Sequence, residues 1–303
     1  MDFNLKLIES IGTTRLWFIS VSLVVCFTIG GFGNVISMII FNNKLFKKQT
    51  TTVYLQASFL FSLFILLYTP VMYLAPLWIV NSNNCKIYTG ILAIITEIKA
   101  WIQAMGSLDR LISVLKPHKF LFKNKLKNQA ILMFSIAFVL ILLTLPGSIF
   151  FTSMTFKNKT ICSFPIQEDL KWISIYSGAE YFCFRTILPF LIMLTSSGII
   201  SWTMYKNKNH LIPNVDRKRE INLFKSLISI DLFIMIFQIP SFIQIFQSSS
   251  ANYFNTLEYS IFFSVSLISN VFLFLVFMIC NRVYRNLFFK YIKFFKNNRI
   301  VPF

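Results

Sequence analysis

Seven runs of about 20 or more predominantly apolar residues, at 16–41, 53–80, 88–114, 130–151, 179–205, 223–246 and 257–279, decide what this chain can fold into. At 1.5 Å per residue, a helix of that length crosses a hydrocarbon core of roughly 30 Å. The balance of residue types agrees: 56% of the chain is apolar and 13% charged, against about a quarter charged in soluble proteins. The charges gather in short clusters between the runs, so the runs are the structure and the clusters are loops. The expected fold class is an all-α membrane protein, a seven-transmembrane helix bundle.

An odd number of spans places the two termini on opposite sides of the membrane. Short cytoplasmic loops carry the excess of Lys and Arg, and the segments after spans one, three, five and seven hold 19 of these residues against 6 on the other side. The N-terminus is therefore expected outside a plasma membrane. The net charge of +18 would suit a nucleic-acid binder if it were gathered on one face. Here the cations alternate with spans, so they read as topology signals and as contacts to anionic membrane lipid, with no nucleic-acid partner. Asp2 and Glu9 stand where a cleaved signal peptide would carry its basic region, so the first span is expected to act as its own insertion signal.

This topology divides the chain into a short extracellular N-terminus (1–15), a membrane domain (16–281) and a cytoplasmic segment (282–303). With so short an outer segment, any ligand must be held by the bundle and its outer loops. In 284–295, Leu287, Phe288, Tyr291, Phe294 and Phe295 recur at helical spacing between Arg285, Lys290 and Lys293. The pattern predicts an amphipathic helix lying in the inner membrane interface; a basic aromatic tail of no fixed structure is the alternative.

The same topology sorts the cysteines. Cys85 at the outer start of span three and Cys162 in the loop between spans four and five share an oxidising compartment. Cys26, Cys183 and Cys280 fall inside spans, where a thiol acts as a small apolar group. The expected disulfide is thus Cys85–Cys162. Asn158-Lys159-Thr160, the one N-x-S/T sequon in the chain, lies in that outer loop, where glycosylation of Asn158 is chemically accessible. No cofactor or metal site is expected, and no catalytic set: the two histidines, His118 and His210, lie in inner loops.

At the inner end of span three stands Ser107-Leu108-Asp109-Arg110-Leu111, with Pro117 seven residues after Arg110 and Cys85 twenty-five before it. This resembles the Asp-Arg-Tyr signature of rhodopsin-like G-protein-coupled receptors, in motif and in spacing. Gly33-Asn34 in span one, Pro70 in span two, Pro189 in span five, Gln238-Ile239-Pro240 in span six and Asn281-Arg282-Val283-Tyr284-Arg285 after span seven extend the resemblance over most of the chain. It implies an extracellular peptide or small-molecule ligand and a heterotrimeric G protein as partners. It further implies that Arg110, held by Asp109 in one state, turns toward the C-terminal helix of a G-protein α subunit in another. A proline frees a backbone carbonyl and bends its helix, so Pro70, Pro189 and Pro240 are candidate hinges.

The chain also departs from the pattern. Ser62 replaces an aspartate in span two, span four lacks a tryptophan, Gln238 replaces an aromatic in span six, and Leu273-Phe274-Leu275-Val276-Phe277 replaces Asn-Pro-x-x-Tyr in span seven. Leu92 stands where amine receptors carry aspartate, which disfavours an amine ligand and leaves a peptide, or a chemosensory small molecule. Polar groups instead lie deep in the spans: Glu97, Lys99, Arg185, Asp231 and Gln238. An ionised group at mid-membrane costs about 2.5–3.5 kcal/mol on insertion scales, so each needs a partner or a water-lined cavity. Glu97 is expected to meet Arg185, Lys99 to face Ser62 and Ser269 or Asn270 as a built-in cation where other receptors hold sodium, and Asp231 to meet a basic inner-loop residue. A non-signalling protein or a transporter that uses Glu97, Lys99 and Arg185 as a substrate path is the alternative function. Ser and Thr are absent from 206–219 and 281–303, so phosphorylation-driven desensitisation is expected to be weak.

Overall fold

The structure, a computed structural model, describes residues 14, 17–43, 46, 51–74, 82–115, 125–149, 152–156, 159–163, 176, 179–206, 228–234, 236–237 and 257–296. The first helix, α1 (Trp17–Phe41), contains a π segment at Cys26–Gly30. It is followed by α2 (Thr51–Leu74), α3 (Ser82–Leu115) and α4 (Lys125–Ile149). Strands β1 (Thr152–Phe156) and β2 (Lys159–Ser163) form an antiparallel hairpin. Helix α5 opens with a π segment, Tyr181–Ile187, and continues as Leu188–Lys206. Helix α6 is described over 228–234, and α7 (Leu257–Cys280) leads into α8 (Arg282–Lys296).

These are the seven helices that the apolar runs predict, and α1 to α5 are each long and apolar enough to cross a membrane by themselves. Their outward faces carry large apolar side chains, Phe134, Phe138 and Trp202 among them, as befits a surface solvated by lipid. Helix α3 starts at Ser82, before its apolar run opens, because backbone hydrogen bonds and not hydropathy decide where a helix begins. Its added residues include Cys85 and Lys86. The hairpin adds a small β element to the expected all-α fold, with Phe156 opposite Lys159 and Ser153 opposite Cys162.

Between α7 and α8 the chain bends by 109°, the turn required of a helix that leaves a span to lie along the interface. Asn281 makes the corner: its Oδ1 accepts the Tyr284 backbone N–H at 3.1 Å, capping α8. Tyr284 then reaches back into the bundle, fully buried, and its hydroxyl meets Ser37 Oγ of α1 at 2.6 Å. Around it Phe41, Phe59 and Phe277 pack with ring centroids 5.0–6.1 Å apart, within the range of favourable aromatic geometry. In lipid, helices associate through close packing and not through exclusion of water, and α1 and α7 show how close. A Cβ added to Gly33 would lie 2.1 Å from Cδ1 of Phe274, and one added to Gly30 2.9 Å from Cγ2 of Val271.

Candidate functional site

Polar side chains buried inside the bundle form three clusters. The first is centred on Asp231 of α6. Its Oδ2 accepts from Ser107 Oγ of α3 and from Ser197 Oγ of α5, each at 2.8 Å, and lies 3.4 Å from Nη1 of Arg110. One carboxylate oxygen thereby joins three helices. Arg110 and Asp231 are both almost fully buried, so their attraction is little screened. The approach of α2 to this point depends on Gly106, where an added Cβ would come within 3.2 Å of Tyr54. The partner of Asp231 is therefore Arg110 of span three, buried with it inside the bundle, and not the inner-loop cation expected for it. Asp109 also acts on Arg110 through its charge, after Asp231. Pro117 lies outside the described residues.

The second cluster lies between α3, α4 and the start of α5. Glu97 is fully buried and its carboxylate accepts from Thr144 of α4. The charge of Arg185 acts on both Glu97 and Glu180, which lie close together. Arg185 belongs to the π segment ahead of Pro189. In a π register, a proline leaves the carbonyl five residues earlier without its backbone donor, here that of Phe184. Trp101 Nε1 donates to this oxygen at 2.9 Å, tying α3 to α5 at the irregular turn. Thr144, Glu180 and Trp101 were not singled out from the sequence.

The third cluster surrounds Lys99. Its ammonium donates to Oδ1 of Asn270 in α7, one of the neighbours expected for it, whereas the Ser62 hydroxyl is buried without a hydrogen-bond partner. Asn34 of α1 donates to the Asn270 backbone carbonyl at 3.2 Å, so Asn270 links α1, α3 and α7. A cavity of about 100 Å³ adjoins the ammonium, lined by Lys99, Arg185, Thr96, Gln103, Ser269 and Asn270 among others. Of the expected pocket residues, Lys99 and Arg185 line this cavity together, and Glu97 faces α4. Gln238 and Pro240 lie outside the described residues.

Pro70 lies within α2 and Pro189 near the start of the regular part of α5. Near the first, Thr69 Oγ1 donates to the Ile65 carbonyl at 2.6 Å. Cys85 stands near the start of α3 and Cys162 on β2, and both strands of the hairpin pack against α3. Asn158 lies outside the described residues.

Comparison with known proteins places these clusters in context. The family model described as the 7 transmembrane receptor (rhodopsin family) matches residues 31–285. Among curated proteins, the type-1 angiotensin II receptors of Ovis aries, Bos taurus and Homo sapiens are each 26% identical to the chain over 214 residues. That alignment takes in 68% of this chain and 58% of each receptor.

Proposed function

We propose that this chain, which belongs to the rhodopsin family of seven-transmembrane receptors, senses an extracellular ligand at the plasma membrane and activates a heterotrimeric G protein by releasing Arg110 from Asp231. The observation that carries the proposal is the buried contact between them, at the inner end of α3. While Asp231 holds the guanidinium and the Ser107 and Ser197 hydroxyls, α3, α5 and α6 are tied and Arg110 is turned into the bundle. An outward swing of the inner end of α6 carries Asp231 away. Arg110 is then free to accept a partner in the cytoplasm, as the family resemblance implies for the α-subunit helix. Without that partner the swing leaves two charges unpaired in a poorly solvated site, so the tied state is the resting one.

The ligand enters from the side where the hairpin packs on α3. A Cys85–Cys162 disulfide would fasten the hairpin over the bundle entrance, and a glycan on Asn158 would mark the same face as extracellular. A peptide ligand is supported by Leu92 in place of an amine-binding aspartate, by Pro70, and by the likeness to receptors named for angiotensin II. Arg185 serves as the bridge between the Glu97 carboxylate and α5, and Lys99 as a built-in cation that makes signalling independent of sodium.

The test is a G-protein activation assay in cells, with a panel of α subunits and libraries of peptides and small molecules. It compares native protein with Arg110→Ala at matched surface level. The proposal expects a ligand response in the native protein that Arg110→Ala abolishes. A ligand response of equal size in Arg110→Ala would refute the role given to this residue.

A further inference from the structure

The cavity beside Lys99 has a charge that nothing in its wall balances. At about 100 Å³, it is several times the roughly 10–15 Å³ that a single water needs. Two of its lining residues, Lys99 and Arg185, are cations and no Asp or Glu lines it; the charge of Arg185 acts on Glu97 and Glu180, which leaves that of Lys99. The Lys99 ammonium is buried and its acceptor is the neutral Asn270 amide. Among the described residues, no carboxylate forms an ion pair with Lys99. Glu97 is two residues away along α3, and residues two apart on a helix do not share a face. Its carboxylate accepts from Thr144, and Glu180 lies with it on that side.

A buried cation without a counter-charge is costly in a membrane, and a cavity that touches it supplies room for one. We infer that this cavity binds a compact monovalent anion, a carboxylate group or a halide, against the Lys99 ammonium, with Arg185 and the Asn270 and Gln103 amides in the same wall. The anion has two sources that share this chemistry: a carboxylate of the extracellular ligand, or a free ion from the medium. In either case the anion stabilises the contact of α3, α5 and α7 around the cavity, and its binding does not require coupling to a G protein.

The experiment measures the unfolding temperature of the purified full chain in detergent, by tryptophan fluorescence. Ionic strength is held with gluconate, which is too bulky for the cavity, and chloride or acetate replaces it stepwise. Native protein is expected to show a saturating rise of several degrees, as linkage requires of a ligand that binds only the folded state. Lys99→Met should abolish it, while Lys293→Met on α8 should retain it. Saturation by chloride assigns the site to a free halide, and saturation by acetate alone assigns it to a carboxylate group. Should Lys99→Met fail to accumulate, Arg185→Gln takes its place, with the half-saturating concentration raised at least tenfold. A native protein indifferent to both anions overturns the inference, as does a full response retained by Lys99→Met or Arg185→Gln.

Discussion

A buried carboxylate answers to few neighbours, and for Asp231 these are Arg110, Ser107 and Ser197. Asp231→Asn keeps the shape and removes the charge. Hydrogen bonds to charged groups contribute about 1.5–3 kcal/mol each, and 1.4 kcal/mol is a factor of ten in an equilibrium. Asp231→Asn is thus predicted to raise ligand-free signalling about tenfold at matched surface level, measured as nucleotide exchange on membranes. Ser197→Ala, which leaves Arg110 in place, should raise it less. Arg110 itself was legible in the sequence, because its distances from Cys85 and Pro117 are specific. Its partner was not, since 121 residues separate the two and hydropathy says nothing about which faces of two spans meet. The serines carried no signal at all, being common in spans as small polar packing groups. Lys99 lay between these cases: of Ser62, Ser269 and Asn270, the neighbours expected for it, its ammonium bonds Asn270.

At the scale of the elements, close approach and irregular turns decide behaviour. Gly33 lets α1 lie against Phe274, whose ring is in turn stacked on Phe288 of α8 at 6.1 Å. Gly33→Ala is predicted to lower stability by about 1–3 kcal/mol, the usual cost of overpacking, and to cut surface expression, read by flow cytometry on intact cells. Trp101→Phe removes the donor to Phe184 while keeping most of the ring. It should lower the unfolding temperature, for a loss of about 0.5–1.5 kcal/mol from one hydrogen bond, and leave the Arg110 contact intact. Pro189 announced an interruption of α5 in the sequence. The π register it accompanies did not show, because the choice between freeing one carbonyl and another depends on Trp101 lying opposite. The hairpin did not show either, because the alternation in Thr152–Phe156 and Lys159–Ser163 is short.

Over the whole molecule, the seven-helix architecture was legible because the bilayer imposes its own length on every span. The near-perpendicular turn into α8 followed from the change in pattern after Cys280, where apolar residues begin to recur between cations. Which side faces outward is a prediction from charge alone, and it has a direct check. Native protein from a glycosylating cell should shift in mobility on treatment with an amidase that removes N-linked glycans. Asn158→Gln should run at the shifted position without treatment; an unshifted native protein would contradict the outward placement of the hairpin.

The central claim is that the Arg110–Asp231 contact restrains a receptor which signals through Arg110. Ligand-free nucleotide exchange, measured over a panel of G-protein α subunits on membranes bearing equal amounts of native protein, Asp231→Asn and the Asp231→Asn, Arg110→Ala double variant, tests it without knowledge of the ligand. The account predicts exchange above the native level for Asp231→Asn with at least one α subunit, and a return to background in the double variant. Asp231→Asn at the native level with every α subunit, or a double variant as active as Asp231→Asn, would contradict it.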